Sequence, residues 1–243
     1  MRHSIVLILF ALNLVVSGCA TTGSPSNGSD DRDVAELSPG LWVDVERRVV
    51  RVRGWTCLDS GWLEQVACSP GTREHESLMV TNVSASNIHA ALLLIGLQPG
   101  SPGNWKADGD KVVLVPATGP RVDVSVEWTD PAGDTRVDGV SRWISDISDR
   151  SLYPTDKWIF AGSVVLDDVE ADRAGVRYLA DRTGSLIGLV TFGDELLAAE
   201  EVLPDSSEVH SPEWVATTRA MPPVGTEVRI VLRPDSADQT ASE

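Results

Sequence analysis

Apolar and polar residues alternate without error from Arg121 to Trp128, which places Val122, Val124, Val126 and Trp128 on one face of a strand. Asp130-Pro131-Ala132-Gly133-Asp134 supplies a turn, and Arg136 to Ile144 reads as the returning partner of a hairpin. Val228, Ile230 and Leu232 alternate in the same way against Glu227, Arg229 and Arg233. Shorter strand candidates are Leu41–Val45, Val49–Trp55, Leu78–Val83, Lys111–Val115, Trp158–Val165 and Leu186–Phe192, most of them separated by turn residues. A helical period occurs from Asn87 to about Leu94, where Ile88, Ala91, Leu92 and Ile95 form a stripe, Ser86 is placed to cap and Gly96 to terminate. Leu93 and Leu94 add apolar residues on its other faces, so the pattern predicts a short buried helix near 87–95, and Asp194–Glu201 suggests a second one. The fold class expected is mainly β (α+β): a single β-rich, sandwich- or barrel-like domain over 39–233.

The two ends read differently. Met1-Arg2-His3 is a short positive start, and Ser4–Val16 is a run interrupted only by Ser4 and Asn13. As a helix the run spans about 20 Å, short of the roughly 30 Å hydrocarbon core, so it is read as a secretory segment and not as a span. Val16-Ser17-Gly18-Cys19 looks like a bacterial lipobox. That resemblance implies a lipoprotein signal peptide over 1–18 and a covalent lipid on Cys19, and more than one acyl chain gives stable anchoring. Residues 19–38 are small and polar and are expected to form a flexible lipidated tether, and 234–243 a disordered tail. The localisation that follows is the cell envelope, facing the periplasm. Ala20 after Cys19 leans towards the outer membrane where the host sorts on that position.

Charge narrows the partners. Against 36 acidic residues stand 20 basic ones, a net charge of −16, with no basic patch to neutralise phosphates, so nucleic acid is not an expected partner. The partners expected are the membrane, through the lipid, and an envelope protein or ligand. Eight tryptophans spread along the whole chain read as core and rim packing before any sugar platform.

Chemically capable residues concentrate in one block: Cys57, Glu64, Cys68, Glu74, His75, Glu76 and His89. Export would put Cys57 and Cys68 in an oxidising compartment, and Ser60-Gly61 can fold the chain back between them, so a disulfide is the first expectation. The alternative is a transition-metal site with Cys57, Cys68, His75 and His89 as ligands and Glu64 or Glu76 as supporting acids. The spacing matches no compact zinc motif, and no cofactor is expected beyond the lipid. No Gly-x-Ser-x-Gly, Walker loop, GxGxxG or paired CxxC occurs, so nothing in the sequence supports enzymatic activity.

Several runs carry a family resemblance. They are Cys57 … Trp62-Leu63-Glu64 … Ala67-Cys68 … Glu74-His75-Glu76-Ser77-Leu78 … Ile88-His89-Ala90-Ala91-Leu92-Leu93 … Gly96 … Pro99-Gly100, with Pro116-Ala117-Thr118-Gly119, Trp158-Ile159-Phe160-Ala161-Gly162-Ser163 and Pro222-Pro223-Val224-Gly225-Thr226. Together these resemble the YdjY-type domain, a bacterial family often found in exported or lipid-anchored proteins, over about Leu41 to Pro234. The resemblance implies one domain and a shared site in the Cys57–His89 block, and it brings no activity or substrate. Some relatives are described as ferredoxin-like, but two thiols beyond Cys19 cannot supply the four ligands of an iron–sulfur cluster. The function expected is a non-catalytic binding or structural module. A metal-binding or thiol-redox accessory is the alternative.

Overall fold

The structure is a computed structural model that describes residues 34–236, apart from 110, 176 and 218–220; the signal peptide and Cys19 lie outside these. In chain order the elements are β1 (Val34–Ser38), β2 (Leu41–Asp44), β3 (Val49–Thr56), β4 (Gln65–Cys68), β5 (Ser77–Val80), α1 (Ala85–Leu94), β6 (Asn104–Asp108), β7 (Lys111–Val115), β8 (Arg121–Thr129), β9 (Thr135–Gly139), β10 (Ile144–Asp146), β11 (Lys157–Phe160), α2 (Asp168–Ala174), α3 (Leu179–Thr183), β12 (Ser185–Gly188), β13 (Leu197–Ala198), β14 (Trp214–Ala216) and β15 (Glu227–Pro234).

Strand pairing runs β3-β15-β8-β11-β13-β12-β4-β5, and β5 pairs back onto β3, so eight strands close a ring. Of the two expected architectures, the barrel is the one formed. Its order is mixed: β12–β13 and β4–β5 are parallel and the other pairs of the ring antiparallel. Two strands are shared. The far half of β8 pairs with β9 where its near half pairs with β11, and β3 likewise pairs with β2 and then with β5. The clean alternation of β8 and β15 is explained directly. Val122, Val124, Val126, Val228, Ile230 and Leu232 are buried, while Arg121, Asp123 and Arg229 keep contact with water.

The barrel is filled. Register around the ring places Val52, Ile230, Val126, Ile187, Ala67 and Met79 in the core, and all are buried. The internal cavity beside them is only about 10 Å³, barely room for one water. Tryptophans contribute as expected: Trp158 stacks on Tyr153, which meets Trp214 edge-on, and Trp143 packs on Trp128.

Five local expectations are corrected. The helix starts two residues earlier than the pattern implied, because Ser84 accepts the Asn87 N–H and acts as the cap. It buries one face only: Ile88, Ala91 and Leu92 are covered, whereas Leu93 and Leu94 are exposed. Asp194–Glu201 is not helical; Leu197–Ala198 is β13, a central strand buried on both faces, which a run of Leu and Ala does not announce. The tether as drawn to residue 38 overlaps β1, an edge strand held by its backbone pairing to β2, with Ala35, Glu36 and Leu37 all exposed. At the other end of the domain Pro234 belongs to β15, and Asp235 is buried on Lys157.

Candidate functional site

Strands β4 and β5 run parallel with Gln65 opposite Ser77, so the residues that precede each strand, Glu64 and Glu76, are brought side by side. The Glu64 amide donates to the Glu76 carbonyl at 2.9 Å, and the Glu64 carbonyl accepts the Leu189 amide at 2.8 Å. Glu64 is thus fixed from both directions at the rim of the barrel. Burial, and then a hydrogen bond between its carboxyl and that of Glu76, pushes the Glu64 pKa up to about 7. Arg73 partly opposes this with Nη1 3.1 Å from Glu64 Oε2, and its guanidinium carbon sits over Phe192, 3.7 Å from the ring centre.

Glu195 sits beneath. Its Oε1 accepts the Phe192 and Gly193 amides, which fixes the ring that Arg73 covers. Gly188 leaves the space: a Cβ there would lie 2.9 Å from Glu195 Cγ. Glu195 is completely buried, its Oε2 has no hydrogen-bond partner, and burial pushes its pKa up to about 7. To one side Asp205 accepts from Trp105 Nε1 at 3.1 Å. Trp62 stands two residues before Glu64 with buried Leu63 between them, and at 47% exposure it is the one tryptophan classed as exposed among the described residues. An open indole, a hydrogen-bonded carboxyl pair and a guanidinium seated over a phenyl ring therefore share one rim.

The four residues considered as metal ligands do not assemble. Among the described residues no three His, Cys, Asp or Glu side chains are grouped to hold a metal ion. His75 is 73% exposed and reaches only Glu76, at 3.6 Å. His89 is carried away on α1, where its Nδ1 lies 2.8 Å from the Tyr178 hydroxyl; that hydroxyl donates to the Gly162 carbonyl, so its oxygen accepts the Nδ1 proton. Burial lowers the His89 pKa and keeps the ring neutral.

The expected disulfide is also absent: Cys57 and Cys68 are free thiols. Strand β5 lies between them, pairing with β3 on one side and β4 on the other. Next-nearest strands are about 9.5 Å apart, beyond the roughly 7 Å a disulfide spans. Both thiols instead approach Ser77: Cys57 Sγ donates to its carbonyl at 3.1 Å, and Cys68 faces its hydroxyl. Burial pushes the Cys57 pKa up to about 12 and raises that of Cys68 as well, so both are protonated at neutral pH, the wrong state for thiol redox chemistry.

Two of the other runs that carried the resemblance, 116–119 and 158–163, converge around His89, whereas 222–226 is hydrogen-bonded to Thr56. Gly100 N donates to the Phe160 carbonyl at 3.0 Å, a Cβ on Gly119 would lie 2.2 Å from that same oxygen, and one on Gly162 would meet Pro99 Cβ at 2.4 Å. Gly162 has φ +84 and Ser163 φ +55, a bend that delivers the Gly162 carbonyl to Tyr178. The Ser163 hydroxyl is engaged twice, donating to the Asp194 carbonyl and accepting from the Ala180 amide.

Sequence reasoning had found Glu64 and Glu76 but as helpers of a metal. Arg73, Phe192, Glu195 and Tyr178 were missed, and only Arg73, next to the acidic run, carried a local signal.

Fold and site together define a single filled, mixed β-barrel with a polar site on its rim and a histidine–tyrosine knot beside α1. The YdjY domain model matches residues 41–233, and the chain belongs to that family. No curated protein and no solved structure matches it.

Proposed function

We propose that this YdjY-domain protein is a lipid-anchored module of the cell envelope that binds a partner or ligand on the outer rim of its barrel without chemically transforming it. One observation carries the reading: Trp62, Glu64, Glu76 and Arg73 present stacking, hydrogen-bonding and charged groups together on the rim, while the interior holds no more than a water. The groups that chemistry would need are engaged elsewhere. Ser163 is doubly hydrogen-bonded, His89 is oriented by Tyr178, and both thiols are protonated. The anchor rests on the Val16-Ser17-Gly18-Cys19 run.

The test is a photo-reactive residue placed at position 62, or at exposed Val137 as control, in the full-length protein in living cells. A discrete adduct formed from position 62, weakened by Arg73→Ala and not formed from 137, is the expected result. The absence of any adduct dependent on Arg73 would overturn the rim as the binding face.

A further inference from the structure

Strands β6 and β7 form a two-stranded ribbon separate from the barrel sheet. Val112, Val113, Leu114 and Val115 are each 39–52% exposed, although a strand of this composition is normally buried on both faces. The ribbon is held at its root: Trp105 Nε1 donates to the Thr191 carbonyl and to Asp205, at 3.2 and 3.1 Å. Among the described residues β7 pairs with β6 and no other strand, so its outer edge is unpaired. A free, flat, apolar edge is a template for another strand, and natural proteins cover or charge such edges.

We propose that this edge is covered by a second copy of the same chain, β7 pairing antiparallel with β7 about a two-fold axis at Val113. The pairing pattern supports it. The ribbon closes from Asp108 to Lys111 through a two-residue loop, so in the alternating ladder the amides and carbonyls of Val112 and Leu114 point outward. With the axis at Val113, Val112 of each copy faces Leu114 of the other, and the two symmetric pairs exchange four backbone hydrogen bonds. Val113 then meets its own mate, and Lys111 lies beside Val115, so no like charges are opposed. Charge favours the same place. The chain carries a net −16, yet the run 104–115 holds two of its three lysines, Lys106 and Lys111, against two acids, and is neutral in sequence. It is a locally neutral strip through which two acidic molecules can approach.

The geometry makes Val113 the test. Facing residues at a non-hydrogen-bonded antiparallel position have Cα atoms about 4.5 Å apart, inside the range a disulfide bridges. Full-length protein with Val113→Cys should therefore form a covalent dimer on mild oxidation. The native chain and a Val137→Cys control should not. In sedimentation velocity the native protein should dimerise more tightly at 0.5 M than at 0.05 M salt, because screening removes the repulsion between two acidic bodies. Val113→Asp, which sets two carboxylates against each other, should weaken the dimer about tenfold or more. A native chain that stays monomeric, a Val113→Cys variant that does not cross-link, or dimers indifferent to Val113→Asp would each overturn the proposal. Tighter self-association at low salt would count against it too, since that signature belongs to pairing of the lysines with acids.

Discussion

Replacing Glu195 with glutamine removes one titrating proton from the centre of the domain and leaves its shape almost unchanged. The amide oxygen can still accept the Phe192 and Gly193 amides, and an NH₂ replaces the unpartnered Oε2. Burial raises the carboxyl from an ordinary 4.5 to about 7, so the folded state holds its proton over a range in which the unfolded chain has released it. Stability contributed by this group is intact below about pH 4.5 and falls as the pH rises towards 7, after which it is flat. Between pH 4.5 and 8 the loss is about 3 kcal/mol, and because the side chain is completely buried no discount for solvent exposure applies. The glutamine variant is spared this loss. Urea unfolding followed by the fluorescence of the buried Trp143, Trp158 and Trp214 at pH 4.5, 6 and 8 measures it. The stability of Glu195→Gln relative to native should rise by about 3 kcal/mol across that range, whatever its offset at pH 4.5. A difference constant to within about 0.5 kcal/mol would show that Glu195 titrates normally in the folded protein, and the reasoning from burial would fail.

Carboxyl-detected NMR should place the Glu64 midpoint near 7; Arg73→Ala should raise it by removing the favourable charge, and Glu76→Gln should lower it. Alkylation in denaturant without reductant should label both Cys57 and Cys68, and recovery of a 57–68 disulfide would show that β5 does not separate them. Gly162→Ala should cost about 2–4 kcal/mol in unfolding experiments, since φ is +84 and the new Cβ would lie 2.4 Å from Pro99 Cβ; a neutral outcome would mean the bend relaxes freely. Cys19→Ser should release the protein from carbonate-washed membranes or leave it unprocessed, and continued cleavage with retention would refute the lipid anchor.

The readable parts of the fold were those in which one side of a strand faces the core and the other faces water. β8 and β15 satisfy that condition, so their alternation exposed both their type and their inward residues. β13 does not: Leu196, Leu197, Ala198 and Ala199 are all buried, and a continuous apolar run fits a helix as well as a strand. β1 failed for the opposite reason, being open on both faces. Closure of the ring was out of reach because it depends on β5 returning to β3, a pairing no local pattern encodes. The site followed the same logic. Glu64 and Glu76 stood out by residue type, but Phe192 and Glu195 join from more than 100 residues away in sequence, Tyr178 joins His89 from 89 away, and all three look ordinary in their own surroundings.

The reason one sequence block became two sites lies in a connection. Parallel strands usually need a crossover of about a dozen residues, yet β4 and β5 are joined by residues 69–76 alone. This succeeds because each strand has four residues, so the chain has only about 13 Å to climb back. The return is packed against itself: Thr72 Oγ1 donates to the Ser69 carbonyl at 2.6 Å, and the Glu76 amide donates to the Arg73 carbonyl at 3.0 Å. Arg73 therefore sits on the short path between Cys68 and Glu76, where its side chain can reach Glu64, while β5 enters the sheet between the two cysteines. The same tight return that assembles the carboxyl pair keeps the thiols apart, and α1, which begins five residues after β5, carries His89 out to Tyr178. Along that path Cys57 and Cys68 are free thiols on either side of β5, and His89 is turned to Tyr178. The paired carboxyls of Glu64 and Glu76 on the rim are its direct product.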